Sequence, residues 1–294
     1  MSLAEEHRTS GTITASYLVV GVPVTVTADA QTLEFVDEIY ATFRTRSVAP
    51  ESYAIRVRQS PGGVQVTDSE GRDVEVGDER EAGVLTIERV VRHATGQLAA
   101  RGVYAIHAAA LVHRGECVAI AGRTHAGKTT LALALVGRGL GLLSDELALS
   151  APDERTILPY PRGVHVRPGT PERIPELAFI SDLPFHPFSG GRQWTLRADE
   201  IARVFPGCFG EPAPLRHVVL LERAEGAESV LEPVDSGVAV VELVRATTAA
   251  ADDLPAATKR VSRLVDGARC IRLRSGELAS SVDVLLAWLS RDGA

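Results

Sequence analysis

The chain has 294 residues, 45% apolar, 23% charged and only 5% aromatic. That supply of apolar residues suits one large domain or two modest ones and excludes wholesale disorder. Thirty-eight acids against 31 bases give a formal charge of −7, the wrong sign for the basic face of a nucleic-acid binder.

The opening residues, MSLAEEHRTS, carry acids where a secretory leader needs a basic and then an apolar stretch, and no run approaches the roughly 18 apolar residues of a membrane span. A soluble, cytoplasmic protein is expected. Residues 12–20 and 22–27 read as strands around Gly21 and Pro23. Leu33, Val36, Tyr40 and Phe43 then recur at three- and four-residue steps, which predicts an amphipathic helix over 30–44. Strict alternation over 53–58 reads as a strand ended by Pro61-Gly62-Gly63. A second strand-rich stretch is expected to Glu88, then a helix over 90–100. Residues 1–102 are thus expected to form a small α+β region, assigned to substrate recognition because it holds none of the catalytic candidates.

From Tyr104 the texture changes. Residues 104–112 and 116–121 are apolar strands around a turn at His113-Arg114-Gly115. A glycine-bearing loop, a helix over 129–136 and one strand over 141–150 follow. Strand, loop, helix, strand is a βαβ order and predicts an α/β domain over 103–294. Residues 151–214 are rich in Pro and Gly and resist assignment. Beyond them, 215–221 and 270–273 read as strands and 238–246 as a helix. Leu278, Val282, Leu285, Leu286 and Leu289 form the stripe of a final helix. Cys117, Cys208 and Cys270 are scattered, giving neither a disulfide framework nor a zinc ribbon.

Gly122-Arg123-Thr124-His125-Ala126-Gly127-Lys128-Thr129 fits G-x-x-x-x-G-K-[ST] without exception. Glycines let the backbone wrap around phosphate oxygens, and the loop amides with the following helix N-terminus attract the anion. Lys128, one of only two lysines in the chain, would place a point charge on the β- and γ-phosphates, and the Thr129 hydroxyl would ligate Mg²⁺. Thr130 completes the expected ATP-binding run, and His125 is expected to offer its backbone N–H rather than its ring. A chance match is expected in roughly one chain in a thousand. The acidic pair Asp145-Glu146 follows at an apolar strand end, where one carboxylate can take a proton from an attacking hydroxyl and the other can hold the metal. His107, in the apolar run Ile106-His107-Ala108-Ala109-Ala110-Leu111, reads by itself as a core histidine. Arg192, Arg197 and Arg203 could close over phosphates, but in so arginine-rich a chain a solvated surface is the better reading. The stretch 181–192 reads as either a substrate-facing loop or irregular packing.

The block from His107 to Glu146 resembles the catalytic core of the HPr kinase/phosphorylase family, related to the ATP-using phosphoenolpyruvate carboxykinases. That family orders a His–Gly pair, a phosphate loop and an acidic pair; here His107 lies 15 residues before Gly122, and Asp145 lies 23 after it. The resemblance implies a carboxykinase-like phosphate-loop domain, with Asp145 as catalytic acid/base, Lys128 on the phosphates, and Thr129 and Glu146 on the metal side. It also implies His107 as an active-site neighbour and Arg162-Gly163 as a contact to phosphate or substrate. Ala108, Glu146 and Tyr160 depart from the family pattern, and the resemblance is strong only over residues 107–167. The "HAAAL" and "LLSDE" segments look most like HPr-kinase-related proteins of biosynthetic clusters, including kinases of lasso-type precursor peptides. This makes HPr a poor candidate substrate, and the phosphorylase reaction is not carried over. The expected activity is transfer of the γ-phosphate of ATP, with Mg²⁺, to a hydroxyl, foremost a serine of a peptide or protein. A small-molecule alcohol kinase, an ATPase or switch without acceptor, and a non-catalytic nucleotide binder are the alternatives, and a homo-oligomer is left open.

Overall fold

The computed structural model describes residues 11–46, 48, 51–183, 186–188, 191–224, 226, 228–247 and 253–292, with backbone alone at 186–188, 191, 192 and 292. The N-terminal ten residues, much of the stretch 181–192 and the Arg192 side chain lie outside that description. Two compact units emerge, residues 1–94 and 95–294.

In the first unit, β1 (Ile13–Val19) and β2 (Val22–Ala28) form a hairpin, and alternation buries Val22, Val24, Val26 and Ala28 on one face. Asp29 then caps α1 (Ala30–Tyr40), its carboxylate accepting from the Thr32 N–H at 2.9 Å. After β3 (Arg44–Thr45) come β4 (Tyr53–Ser60), β5 (Gly63–Asp68) and β6 (Asp73–Val76), giving the sheet order β3-β1-β2-β4-β5-β6. The helical connection explains why β2 and β4 run parallel while the other neighbours are antiparallel.

The stretch to Glu88 expected to be strand-rich ends its strands at Val76, and α2 runs over Glu79–Ala100. Its buried stripe includes Ala82, Thr86, Arg89, Val90, Ala94 and Leu98. Two of these are polar, which masks the helical period. Arg89 is tolerated there because its guanidinium reaches the Val66 and Arg72 carbonyls and the Asp68 carboxylate.

The second unit is a three-layer α/β sandwich. Its strands are β7 (Tyr104–His113), β8 (Glu116–Gly122), β9 (Gly141–Ser144), β10 (Leu147–Ser150), β11 (Thr156–Leu158), β12 (Val164–Val166), β13 (His186–Phe188), β14 (Gly191–Leu196), β15 (Ala213–Arg223), β16 (Val230–Pro233) and β17 (Arg269–Ser275). The main sheet runs β11-β10-β7-β8-β15-β17-β16, with β9 also on β7; β12, β14 and β13 make a small separate sheet. β8, β15 and β17 are parallel neighbours, buried on both faces, hence the continuous apolar run Cys117–Ala121. Val118 and Ile120 point to the layer of α3 (Lys128–Val136) and α7 (Leu278–Leu289). Cys117, Ala119 and Ala121 face the layer of α5 (Ser236–Arg245) and α6 (Leu254–Val265). On the α3 and α7 side, α4 (Ala198–Val204) and a 3-10 helix (Pro175–Asp182) occupy part of the segment that composition could not assign.

The single strand expected over 141–150 is two. Both β9 and β10 pair antiparallel with β7, and the chain breaks between them at Asp145-Glu146. The Ser144 hydroxyl causes the break by accepting the backbone N–H groups of Glu146 at 3.3 Å and Leu147 at 3.0 Å. Among the described residues no helix is long and apolar enough to cross a membrane.

Candidate functional site

β8 delivers the loop. At its last residue, Gly122, a Cβ would stand 2.6 Å from the Leu221 carbonyl oxygen of β15, so the strand end fits against its neighbour only as glycine. The loop turns through left-handed backbone at His125 (φ 70°) and Gly127 (φ 98°), and α3 starts at once with Lys128. The first intrahelical bond is Leu131 N–H to the Gly127 carbonyl, so the amides of Lys128, Thr129 and Thr130 have no intrahelical acceptor. They form an anion-attracting rim beside the exposed Arg123, Thr124 and His125 and the half-buried Ala126.

Lys128, 8% exposed, folds back over this rim; its Nζ donates to the carbonyls of Gly122 at 2.9 Å and Arg123 at 3.4 Å. Burial pulls its pKa down and the Asp145 carboxylate pulls it back up, with burial the stronger.

The Thr129 hydroxyl donates to Asp145 Oδ2 at 3.1 Å, joining the first turn of α3 to the break between β9 and β10. Asp145 is 4% exposed, and its other oxygen, Oδ1, is buried without a hydrogen-bond partner. Burial raises the carboxyl pKa, opposed by Arg162, by the Thr129 hydrogen bond and by Lys128. Such a carboxylate has a lone pair to offer and a raised affinity for a proton.

Glu146, 39% exposed at its side chain, accepts from Nη2 of Arg162, which is 4% exposed. The structure therefore spends the Arg162 guanidinium on the neighbouring acid, while its Nε stays buried without a partner. His107 sits on β7 beside Leu147, its N–H donating to the Ala246 carbonyl at 2.7 Å. Burial, then the charges of Lys128 and Arg162, push its imidazole down to about 4. The ring is neutral at physiological pH. Arg197 and Arg203 both pair with Asp199 on α4.

Lys128, Thr129, Asp145, Glu146, Arg162 and His107 are thus joined by hydrogen bonds or by mutual electrostatics. Sequence reasoning missed Thr170, whose hydroxyl lies 2.8 Å from that of Thr130. It falls in the unassigned segment, 40 residues from its partner, and no motif marks it. Among the described residues, no group of three or more His, Cys, Asp or Glu side chains gathers to hold a metal by itself. The donor set does fit a nucleotide with a hard divalent cation: open amides and an ammonium for phosphate, with the Thr129 hydroxyl and carboxylate oxygens close by.

No protein-family model matches the chain, and no curated protein does. Among solved structures, the Hpr(Ser) kinase/phosphatase from Coxiella burnetii aligns with a TM-score of 0.30 and 13% identity, over 64% of this chain and 99% of that one. So loose a superposition leaves the chemistry to be decided by the site itself.

Proposed function

We propose that this chain is an ATP- and Mg²⁺-dependent phosphotransferase that moves the γ-phosphoryl group to a hydroxyl, foremost a serine of a peptide or protein. The observation that carries the reading is Asp145: a buried carboxylate, tied by one oxygen to Thr129 in the first turn of the loop helix and unpartnered at the other. A protein that merely held a nucleotide would need no proton acceptor beside the phosphate loop.

In this reading the amides of Lys128, Thr129 and Thr130 bind phosphate oxygens, and Lys128 exchanges its loop carbonyls for them. Mg²⁺, held by the Thr129 hydroxyl with Glu146 on the metal side, would supply neutralisation of charge on the phosphates. Asp145 Oδ1 accepts the proton of the attacking hydroxyl. Arg162 orients Glu146 through their ion pair, and His107, neutral, adds no charge to the pocket. Recognition of the acceptor is assigned to the N-terminal unit, which supplies none of these groups.

The test is transfer of label from γ-labelled ATP to a library of serine-containing peptides by the full-length chain. Labelled peptide that depends on both Lys128 and Asp145 supports the reading. Label released only to water, at a rate no peptide changes, would favour an ATPase without an acceptor.

A further inference from the structure

The first turn of α3 is tethered by side chains on two flanks. Thr129 reaches Asp145, and Thr130 meets Thr170, the two hydroxyl oxygens lying 2.8 Å apart. Thr170 is 3% exposed and locked in place by its own backbone. Its N–H donates to the Arg167 carbonyl at 3.1 Å, and its carbonyl accepts from Arg173 at 3.0 Å and Ile174 at 3.1 Å, in a turn that Gly169 closes at φ 89°. On either side of that turn, Val166 and Ile174 belong to the same core cluster as Leu131 and Leu135 of α3. Thr170 is therefore a hydroxyl on a rigid post beside the helix start. A hydroxyl so deeply buried costs free energy unless it is hydrogen-bonded, and Thr130 supplies the bond.

We propose that Thr170 is a positioning residue for the phosphate loop, holding one flank of the helix start through Thr130 while Thr129 serves Asp145 and the metal on the other. The inference rests on the phosphate-binding reading above. The Thr129 hydroxyl donates its hydrogen to Asp145 and keeps its lone pairs for Mg²⁺ in the proposed reaction. The Thr130 hydroxyl has no such chemical duty, and its bond to Thr170 holds the second flank of the helix start. Loss of the tether lets the amides of residues 128–130 drift from the geometry a phosphate needs, so the effect falls on nucleotide affinity.

Calorimetry of the full-length chain with the Mg²⁺ complex of a non-hydrolysable ATP analogue tests this. Thr170→Val keeps the shape and removes the hydroxyl, and binding should weaken roughly 3- to 10-fold, the scale of one hydrogen bond. Thr130→Val should weaken it equally, and the double variant no further, because the two hydroxyls act through each other. Thr170→Ser should bind as the unaltered chain does. Wild-type affinity in Thr170→Val, or losses that multiply in the double variant, would overturn the proposal. Should Thr170→Val fail to fold, Thr130→Val against Thr130→Ser reads the same link from its half-exposed end. Weakened binding in the first alone supports the tether, and equal binding in both refutes it. No binding by the unaltered chain would sink the phosphate-loop reading and this inference together, whereas normal binding with an indifferent Thr170→Val sinks the inference alone.

Discussion

Asp145→Asn separates proton acceptance from every other task the site gives that residue. The amide oxygen can keep the Thr129 hydrogen bond now made at 3.1 Å, and the amide nitrogen replaces Oδ1, which has no partner to lose. Arg162 remains paired with Glu146, and Lys128 keeps its loop carbonyls, so neither cation is stranded. Nucleotide binding should therefore survive, and should tighten slightly because one negative charge near the γ-phosphate is gone. Phosphoryl transfer should fall by roughly 10²–10⁴-fold, the usual contribution of a positioned base. At about 1.4 kcal/mol per decade, that is about 3–5 kcal/mol of transition-state stabilisation. Calorimetry with an ATP analogue and a labelled-phosphate transfer assay, run on the same preparation, read the two effects independently. Unchanged transfer would remove Asp145 as the base. Loss of nucleotide binding would make it a structural or metal residue instead.

Two further predictions concern stability. The Asp68 side chain has no exposed surface; burial pushes its pKa up, but hydrogen bonds from Arg72 and Tyr53 outweigh that and hold it at about 2, against 3.8 ordinarily. A depressed carboxyl stabilises the fold above its unfolded value and loses that contribution as pH falls from about 4 through about 2, here about 2 kcal/mol. Asp68→Asn should therefore lower unfolding stability by about that amount in urea at pH 7, and the deficit should close below about pH 2; a deficit that persists in acid would show it is not electrostatic. Gly122→Ala drives a Cβ to 2.6 Å from the Leu221 carbonyl, and since backbone must give way it should cost roughly 1–3 kcal/mol and lower the melting temperature. An unchanged melting temperature would mean that the strand end can move freely.

The strand, glycine-bearing loop and helix over 116–136 were legible in order from the sequence, whereas burial of Cys117–Ala121 on both faces shows only in the parallel sheet. The acidic pair was legible as a pair, but not the strand break that carries it, which depends on which backbone N–H groups one serine hydroxyl accepts. Helix α2 was half hidden because Thr86 and Arg89 occupy its buried stripe, Thr86 satisfied by the Ala82 carbonyl one turn back and Arg89 by carbonyls that no local window contains. Helix α6 escaped notice although Ala257, Val261, Leu264 and Val265 make a helical stripe, since one of the four is small and charges interleave the rest. The ties from Arg162 to Glu146 and from Thr170 to Thr130 belong to tertiary structure, and no spacing or motif in the sequence between the partners marks them.

Binding of a nucleotide at residues 122–130 through Lys128 is tested most directly by a calorimetric titration of the chain with a non-hydrolysable ATP analogue and Mg²⁺, repeated on Lys128→Ala. A single binding event per chain is predicted, lost or weakened by roughly 10- to 100-fold in the variant, as expected when a charge-assisted contact to phosphate has no replacement. Absence of binding by the unaltered chain, or equal binding by Lys128→Ala, would show that these residues do not hold a nucleotide through Lys128.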